Sequence, residues 1–167
     1  MKKVIAGLMF IMVAGCQENE TIVNDLTGNE VVYALQSGSV YPISGTVTRK
    51  EKKDGSALVV VELTGTEGNI QHPVHLHMGD ISAPGADVAA LLTPVTGSTG
   101  KSETILTRMA DETTITYAQL VKLDACIKIH LADAGPDRDI ILAGGNIGSA
   151  SNARLDGRVG FGICKSE

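Results

Sequence analysis

The stretch His72-Pro73-Val74-His75-Leu76-His77-Met78-Gly79-Asp80 holds three of the four histidines of the chain. Apolar and polar residues alternate through it, which is typical of a β-strand, because successive side chains of a strand point to opposite faces of the sheet. One face, which we expect to pack in the core, consists of Val74, Leu76 and Met78. The opposite face carries His75 and His77, and we expect these two imidazoles to lie side by side on the outside of the sheet.

The fourth histidine, His130, lies in a second predicted strand with the same arrangement. Within residues 125–131, Ile127, Ile129 and Leu131 share the apolar face, so Lys128 and His130 face outward. Neutral imidazole is the commonest metal ligand in proteins.

The candidate ligands of one copper or zinc ion are therefore His75, His77 and His130. His72 and Asp80 are candidates for a fourth ligand. Solvated surface histidines without a metal are the alternative interpretation of the same pattern.

The N-terminal residues 1–15 have the features of a secretory signal peptide. Two lysines precede an apolar run over residues 4–13, which is shorter than the about 20 residues that a membrane-spanning helix needs. The sequence Val13-Ala14-Gly15-Cys16 then resembles the lipobox of bacterial lipoproteins, in which the cysteine is lipidated and becomes the new N-terminus. An ordinary signal peptide with a chance cysteine is the alternative.

The lipobox resemblance implies a lipidated Cys16, a polar tether over residues 16–29 and a domain over residues 30–167. It also implies a location in the cell envelope with the lipid in a membrane. Gln17 after the cysteine favours the outer membrane, with the domain either in the periplasm or exposed at the surface.

The overall charge argues against nucleic acid as a partner. The formal net charge is −5 and no basic patch is visible along the chain. Aromatic residues make up 3% of the chain and tryptophan is absent, so the core has to be built from valine, isoleucine, leucine and alanine. The sequence does not indicate which protein or small molecule the domain contacts.

Two further cysteines, Cys126 and Cys164, lie in predicted strands near the end of the chain. An envelope compartment is oxidising, so the two thiols are candidates for a disulfide. Two separate buried thiols are the alternative, because sequence does not give the pairing geometry.

Short strands separated by turn signals run through most of the chain and predict an all-β Greek-key sandwich or barrel with one short helix. The strands expected beside the two histidine strands cover residues 30–35, 41–50, 57–64, 103–107, 140–143 and 157–164. Residues 87–92 fit a strand or a helical turn, residues 116–123 predict the helix, and residues 144–154 read as a loop.

A series of motifs resembles the CHRD domain, a β-rich module of bacterial secreted proteins and lipoproteins. Among them are Ile43-Ser44-Gly45-Thr46-Val47, His72-Pro73-Val74-His75-Leu76-His77, Ile127-Lys128-Ile129-His130-Leu131 and Gly145-Asn146-Ile147-Gly148, within residues 26–148. The resemblance implies an immunoglobulin-like or superoxide-dismutase-like sandwich. Its Greek-key pairing implies that His130 approaches His75 and His77 on the outer surface. It implies little about activity.

The histidine segments are also similar to Cu/Zn superoxide dismutase, where a His-x-His strand and a late strand supply copper ligands. Arg154 is similar to the arginine that guides the anion in that family. The chain has no histidine between His77 and His130, so the bridging and zinc ligands have no counterpart.

Three hypotheses follow from these patterns. The first is a binding module for one copper or zinc ion. The second is a copper-only dismutase-like enzyme, in which Arg154 would be the one catalytic candidate. The third is a metal-free adhesion or assembly module.

Overall fold

The computed structural model describes residues 25–153 and 160–162, and the described chain is a closed barrel of eight antiparallel strands. The strands are β1 Leu26–Ser37, β2 Ser44–Lys52, β3 Ala57–Thr64, β4 Gln71–Met78, β5 Val88–Thr96, β6 Lys101–Leu106, β7 Asp124–His130 and β8 Ile141–Gly148. Their order around the barrel is β1-β2-β3-β6-β5-β4-β7-β8, and β8 closes the barrel by pairing with β1. Among these residues, no helix combines the length and the apolar character needed to cross a membrane.

The connections between strands are of the Greek-key type. Strands β4, β5 and β6 are neighbours in sequence and in space, and β7 returns to pair with β4 on their other side. The predicted all-β class with one short helix is confirmed, and of the two architectures that we expected, the barrel is the one observed. The crossover places the two histidine strands, β4 and β7, next to each other.

The barrel interior is filled by the small apolar residues that the composition predicts. On β3, Val59, Val61 and Leu63 are 3%, 1% and 7% exposed, whereas Glu62 and Thr64 between and after them are exposed. The same alternation on β4 and β7 buries Val74 and Leu76 against Ile127 and Ile129. Burial of such side chains is worth about 1.5–3 kcal/mol each, and this burial is the main source of stability for the barrel.

One charged side chain, Arg49 of β2, shares the inward parity of Val47 and is fully buried. Its guanidinium donates to the Leu120 carbonyl oxygen at 2.5 Å and to the Tyr33 hydroxyl, and it stacks on the Tyr33 ring at 4.4 Å from the centroid. These contacts tie the short helix that ends at Leu120 to the interior of the barrel.

The helix is shorter than the sequence predicts. Helix α1 spans Tyr117–Leu120, and it begins with a capping box in which Thr116 and Gln119 bond each other's backbone N–H groups. The predicted helix over residues 116–123 fails at its end because the chain turns after Val121, the C-cap, and enters β7 at Asp124. Residues 88–96 form a strand, so the helical alternative for residues 87–92 was wrong.

The glycine-rich residues 144–148 belong to β8 and do not form the predicted loop. A Cβ atom on Gly145 would lie 2.3 Å from the Ala34 carbonyl oxygen, and one on Gly144 would lie 2.7 Å from the Ile127 carbonyl oxygen. Glycine is therefore required here by the close approach of neighbouring backbone, not by a turn. A 3-10 helix, Ser149–Ala153, follows the strand.

Both ends of the domain also differ from the prediction. Strand β1 begins at Leu26, so the last four residues of the predicted tether are part of the barrel. Of the strand predicted over residues 157–164, residues 160–162 are described and are irregular. They are held to the barrel by the Gly162 N–H, which donates to the Ile81 carbonyl oxygen at 2.9 Å.

Candidate metal centre

The barrel brings His75 and His77 of β4 together with His130 of β7. One ligand nitrogen from each ring lies within 4.8 Å of the others. The His75 ring centroid lies 5.8 Å from that of His77 and 4.7 Å from that of His130. Strands β4 and β7 pair without interruption from Val74 opposite Ile129 to Met78 opposite Ala125, so the outward face of both strands is continuous.

Two irregularities in the ladders lie at the candidate ligands. The β4–β5 register shifts between Leu76 and His77, and the β7–β8 register shifts between Ile129 and His130. A bulge bends its strand and changes the direction of a side chain. Both shifts occur on the ladders that flank the β4–β7 pair, so the shared face of the two histidine strands stays in register.

The histidines are buried, which corrects the expectation of a surface site. His77 is 0% exposed and His130 is 1% exposed, and His75 is partly buried. The outward face of the sheet is covered here by the segment before β5, which contains Ala86 and Asp87, and by a 3-10 helix, Pro136–Asp139. The expectation that Met78 is buried in the core was also wrong, because it is 46% exposed at the end of β4.

Backbone carbonyl groups fix the protonation of two of the three rings. His77 Nδ1 lies 3.0 Å from the Ala86 oxygen and 3.2 Å from the Asp87 oxygen, and His130 Nδ1 lies 2.7 Å from the Arg138 oxygen. A carbonyl oxygen only accepts, so Nδ1 of each ring carries the hydrogen and donates it. The lone pair of a neutral ring is then on Nε2, the nitrogen left to bind a metal.

His75 differs from the other two rings. Its Nδ1 is buried and has no hydrogen-bond partner among residues 25–153 and 160–162. A buried polar atom without a partner destabilises a protein by about 1–3 kcal/mol, and such an atom in a native fold calls for an explanation. A metal ion bound to this nitrogen would satisfy it.

The separations fit a metal ion after a small contraction. Metal–imidazole bonds of about 2.0–2.1 Å hold two nitrogens at most about 4.2 Å apart. The observed upper limit of 4.8 Å therefore requires closure by roughly half an ångström. A set of neutral nitrogen donors suits copper and zinc, and the geometry does not choose between them.

All three rings are held in the form that binds metal. Burial is the main cause that lowers the pKa of His75 from 6.5 to about 4, and the neighbouring His130 and His77 contribute to this shift. Burial also lowers the pKa of His77 and of His130, while their hydrogen bonds to backbone carbonyls act in the opposite direction. The imidazoles are therefore neutral at pH 7, so a metal ion has no proton to displace.

The two candidates for a fourth ligand do not join this cluster. His72 is 4% exposed on the opposite parity of β4, with Nδ1 3.3 Å from the Leu131 carbonyl oxygen. The Asp80 carboxylate accepts hydrogen bonds from Ser82 and from the Asn146 side chain. Neither belongs to the metal-ligand group that the described residues form.

Several predicted residues lie outside the described part of the chain. They are the lipidation residue Cys16, the dismutase-like Arg154 and the cysteine Cys164. Cys126 is fully buried on β7, opposite His77 in the ladder. The Cys126–Cys164 disulfide stays a prediction.

The burial of one neighbour of the centre was not expected from the sequence. Lys128 was expected to face outward like His130, but it is 0% exposed, with its ammonium donating to the Gly162 carbonyl oxygen at 2.6 Å. Its parity in β7 placed it on the histidine face. Nothing in the local pattern indicated that residues 160–162 would cover it.

Comparisons with family models, with curated proteins and with solved structures find no match for this chain. The fold and the candidate site nevertheless define a structural class of protein. This is an eight-stranded Greek-key barrel with three clustered histidines that could hold a metal ion.

Proposed function

We propose that this protein is a binding module for one copper or zinc ion. The ligands are His75 through Nδ1, and His77 and His130 through Nε2. The observation that carries the proposal is the unpartnered buried Nδ1 of His75, which lies in a cluster whose other two rings already have their Nδ1 atoms occupied.

The protein contributes a site that is largely formed before the metal arrives. Ala86, Asp87 and Arg138 hold two rings by their backbone carbonyls, and the strand ladder fixes the spacing of His75 and His77. Hydrogen bonds of this kind orient a ligand ring and raise its basicity. A bound copper ion would supply one-electron chemistry, and a bound zinc ion would supply a Lewis acid.

The proposed location is the cell envelope, with the barrel anchored through a lipid on Cys16 to the outer membrane, which Gln17 favours by analogy with bacterial lipoproteins. The support is the signal-like residues 1–15 and the lipobox-like sequence Val13-Ala14-Gly15-Cys16. The CHRD resemblance belongs to the same proposal, because its histidine motifs are the ones that meet in the barrel.

A copper-only dismutase-like enzyme is the second candidate. The observation that favours it is the partial exposure of His75, which leaves this side of the centre closest to solvent. A small anion would need such access to reach the metal. A role for Arg154 in guiding the anion is part of this second candidate.

Metal analysis of the purified protein tests the proposal. After incubation with Cu(II) or Zn(II) and dialysis, we expect about one equivalent of metal per chain, and less than a tenth of that in His75→Ala. The matched control is His72→Ala, which removes a buried imidazole outside the cluster. Equal metal content in wild type and His75→Ala would contradict the proposal and favour a metal-free adhesion or assembly module. A dismutase assay on the copper-loaded protein then separates the binding module from the enzyme.

A further inference from the structure

Lys128 is a buried cation at the candidate metal centre. It lies directly opposite His75 in the β4–β7 ladder, and it precedes His130 by two residues on the same face of β7. Residues directly opposite one another on one face have Cβ atoms about 4.5–5.5 Å apart. The side chain is 0% exposed, so water does not screen its charge from the histidines.

The charge of Lys128 is not neutralised by an acid. Its ammonium donates to the Gly162 carbonyl oxygen, and residues 25–153 and 160–162 contain no carboxylate that forms an ion pair with it. The Gly162 N–H bonds the Ile81 carbonyl oxygen, which fixes the acceptor. The ammonium group of Lys128 is therefore held by a backbone carbonyl, and not by a carboxylate of the described residues, beside a set of three neutral ligands.

Other charged side chains within the described part of the chain also act on the three histidines. The positive charge of Lys128 contributes to the lowered pKa of both His77 and His130, and that of Arg138 acts in the same direction on His75 and His130. The negative charge of Asp87 acts in the opposite direction at His77. Among the described residues, the ligand group consists of three imidazoles and contains no carboxylate or thiolate to offset the charge of a metal ion.

We infer that Lys128 makes this centre select a monovalent ion, so that the protein holds copper as Cu(I) in preference to Cu(II) or Zn(II). The inference rests on the proposed metal-binding function and specifies the charge of the metal ion that the site prefers. The physical reason is Coulomb's law, since the repulsion between Lys128 and the metal is proportional to the metal's charge. A divalent ion is repelled twice as strongly as a monovalent ion at the same place.

This proportionality gives a quantitative expectation for Lys128→Met, which removes the charge and keeps a long apolar side chain. If the substitution tightens Cu(I) binding tenfold, it should tighten Cu(II) and Zn(II) binding about a hundredfold. The copper reduction potential should then fall by about 59 mV, because a tenfold change in the ratio of the two affinities corresponds to 59 mV for one electron.

The experiment measures three quantities on the full chain. The Cu(I) Kd is measured without oxygen by competition with a Cu(I)-specific chromophoric chelator, and the Zn(II) Kd by competition with a zinc indicator. The third quantity is the copper reduction potential. The matched control is Lys122→Met, which removes an exposed lysine of the same chain and should change none of them. Thermal unfolding of the metal-free variants checks that each one is folded.

A second variant keeps the test valid if Lys128→Met does not fold. Asp87→Asn removes an exposed negative charge that acts on His77, and the backbone carbonyl that holds this ring stays in place. It should have the opposite effect, weakening Zn(II) binding more than Cu(I) binding and raising the potential. Such a reversal of sign is not expected from general destabilisation.

The outcomes separate the two claims. A wild-type protein that binds neither ion overturns the proposed function itself. A wild-type protein that binds metal, with equal changes in Cu(I) and Zn(II) affinity in Lys128→Met or no change in Asp87→Asn, overturns the role of Lys128 and leaves the histidine site standing.

Discussion

Replacement of His130 by alanine tests whether the two histidine strands form one site. His130 is 1% exposed, and its Nδ1 donates to the Arg138 carbonyl oxygen. His72 provides the comparison, because it is 4% exposed and its Nδ1 lies 3.3 Å from the Leu131 carbonyl oxygen. Without metal, each substitution leaves a carbonyl oxygen without its imidazole partner, which costs about 1–3 kcal/mol. The two metal-free variants should therefore be destabilised to a similar extent.

In the presence of metal, the two variants should differ. Loss of a group that only supports a ligand weakens metal binding about 10–100-fold, so loss of the ligand His130 should weaken it by more than about a hundredfold. At a metal concentration of about 1,000 times the wild-type Kd, metal stabilises the wild type by about 4.1 kcal/mol. A hundredfold weaker site retains about 1.4 kcal/mol of this, a loss of about 2.7 kcal/mol.

Urea unfolding of wild type, His130→Ala and His72→Ala, each with and without Zn(II), gives the metal-induced stabilisation of each protein. We expect about 4 kcal/mol for wild type and His72→Ala and less than about 1.4 kcal/mol for His130→Ala. Equal stabilisation of the two variants would refute the reasoning, because it would mean that His130 is not a ligand.

Three further predictions concern pH, the core and the membrane anchor. The pKa of His75 is about 4 in the folded protein against 6.5 in the unfolded chain, so on acidification the unfolded chain binds the proton first. The stability of the metal-free protein should be complete above about pH 6.5 and fall toward pH 4 by up to about 1.4 kcal/mol per pH unit, as measured by urea unfolding at several pH values, and a flat profile would contradict this. Val61→Asp places a charge at a position that is 1% exposed, which should destabilise the barrel by several kcal/mol, on the order of its whole stability, and an unchanged melting temperature would show that the strand faces are misassigned. Cys16→Ala should abolish labelling with palmitate and shift the protein out of the membrane fraction, whereas persistent membrane association without a lipid label would argue against the anchor.

The fold class was predictable because the alternation of apolar residues is a local property of each strand. Val59, Val61 and Leu63 could be placed in the core from sequence alone, and the structure buries all three. The glycines of β8 were misread as a loop for a physical reason. Their role is to let the backbones of β1 and β7 approach closely, and those strands lie far away in the sequence.

The candidate site was partly predictable because the alternation of side chains along a strand is a local property. Strand parity put His75, His77 and His130 on one face, and the Greek-key pairing of β4 with β7 brought them together. Their burial was not predictable, because Ala86 and Arg138, whose carbonyls cover two of the rings, belong to connecting segments without a periodic pattern. The burial of Lys128 under residues 160–162 depends on a contact that is equally distant in sequence.

The pairing of β4 with β7 also determines when the three candidate ligands can first come together. A growing or unfolded chain that has reached β4 offers only the His75–His77 pair, and the third ring arrives with the last residue of β7, after β5, β6 and α1. Non-local strand pairing of this kind is slow to form, because a long loop has to close first. Under the proposed function, metal capture is therefore a late event that needs the β4–β7 pair to form first, and an ion encountered earlier in the life of the chain meets only the two histidines of β4.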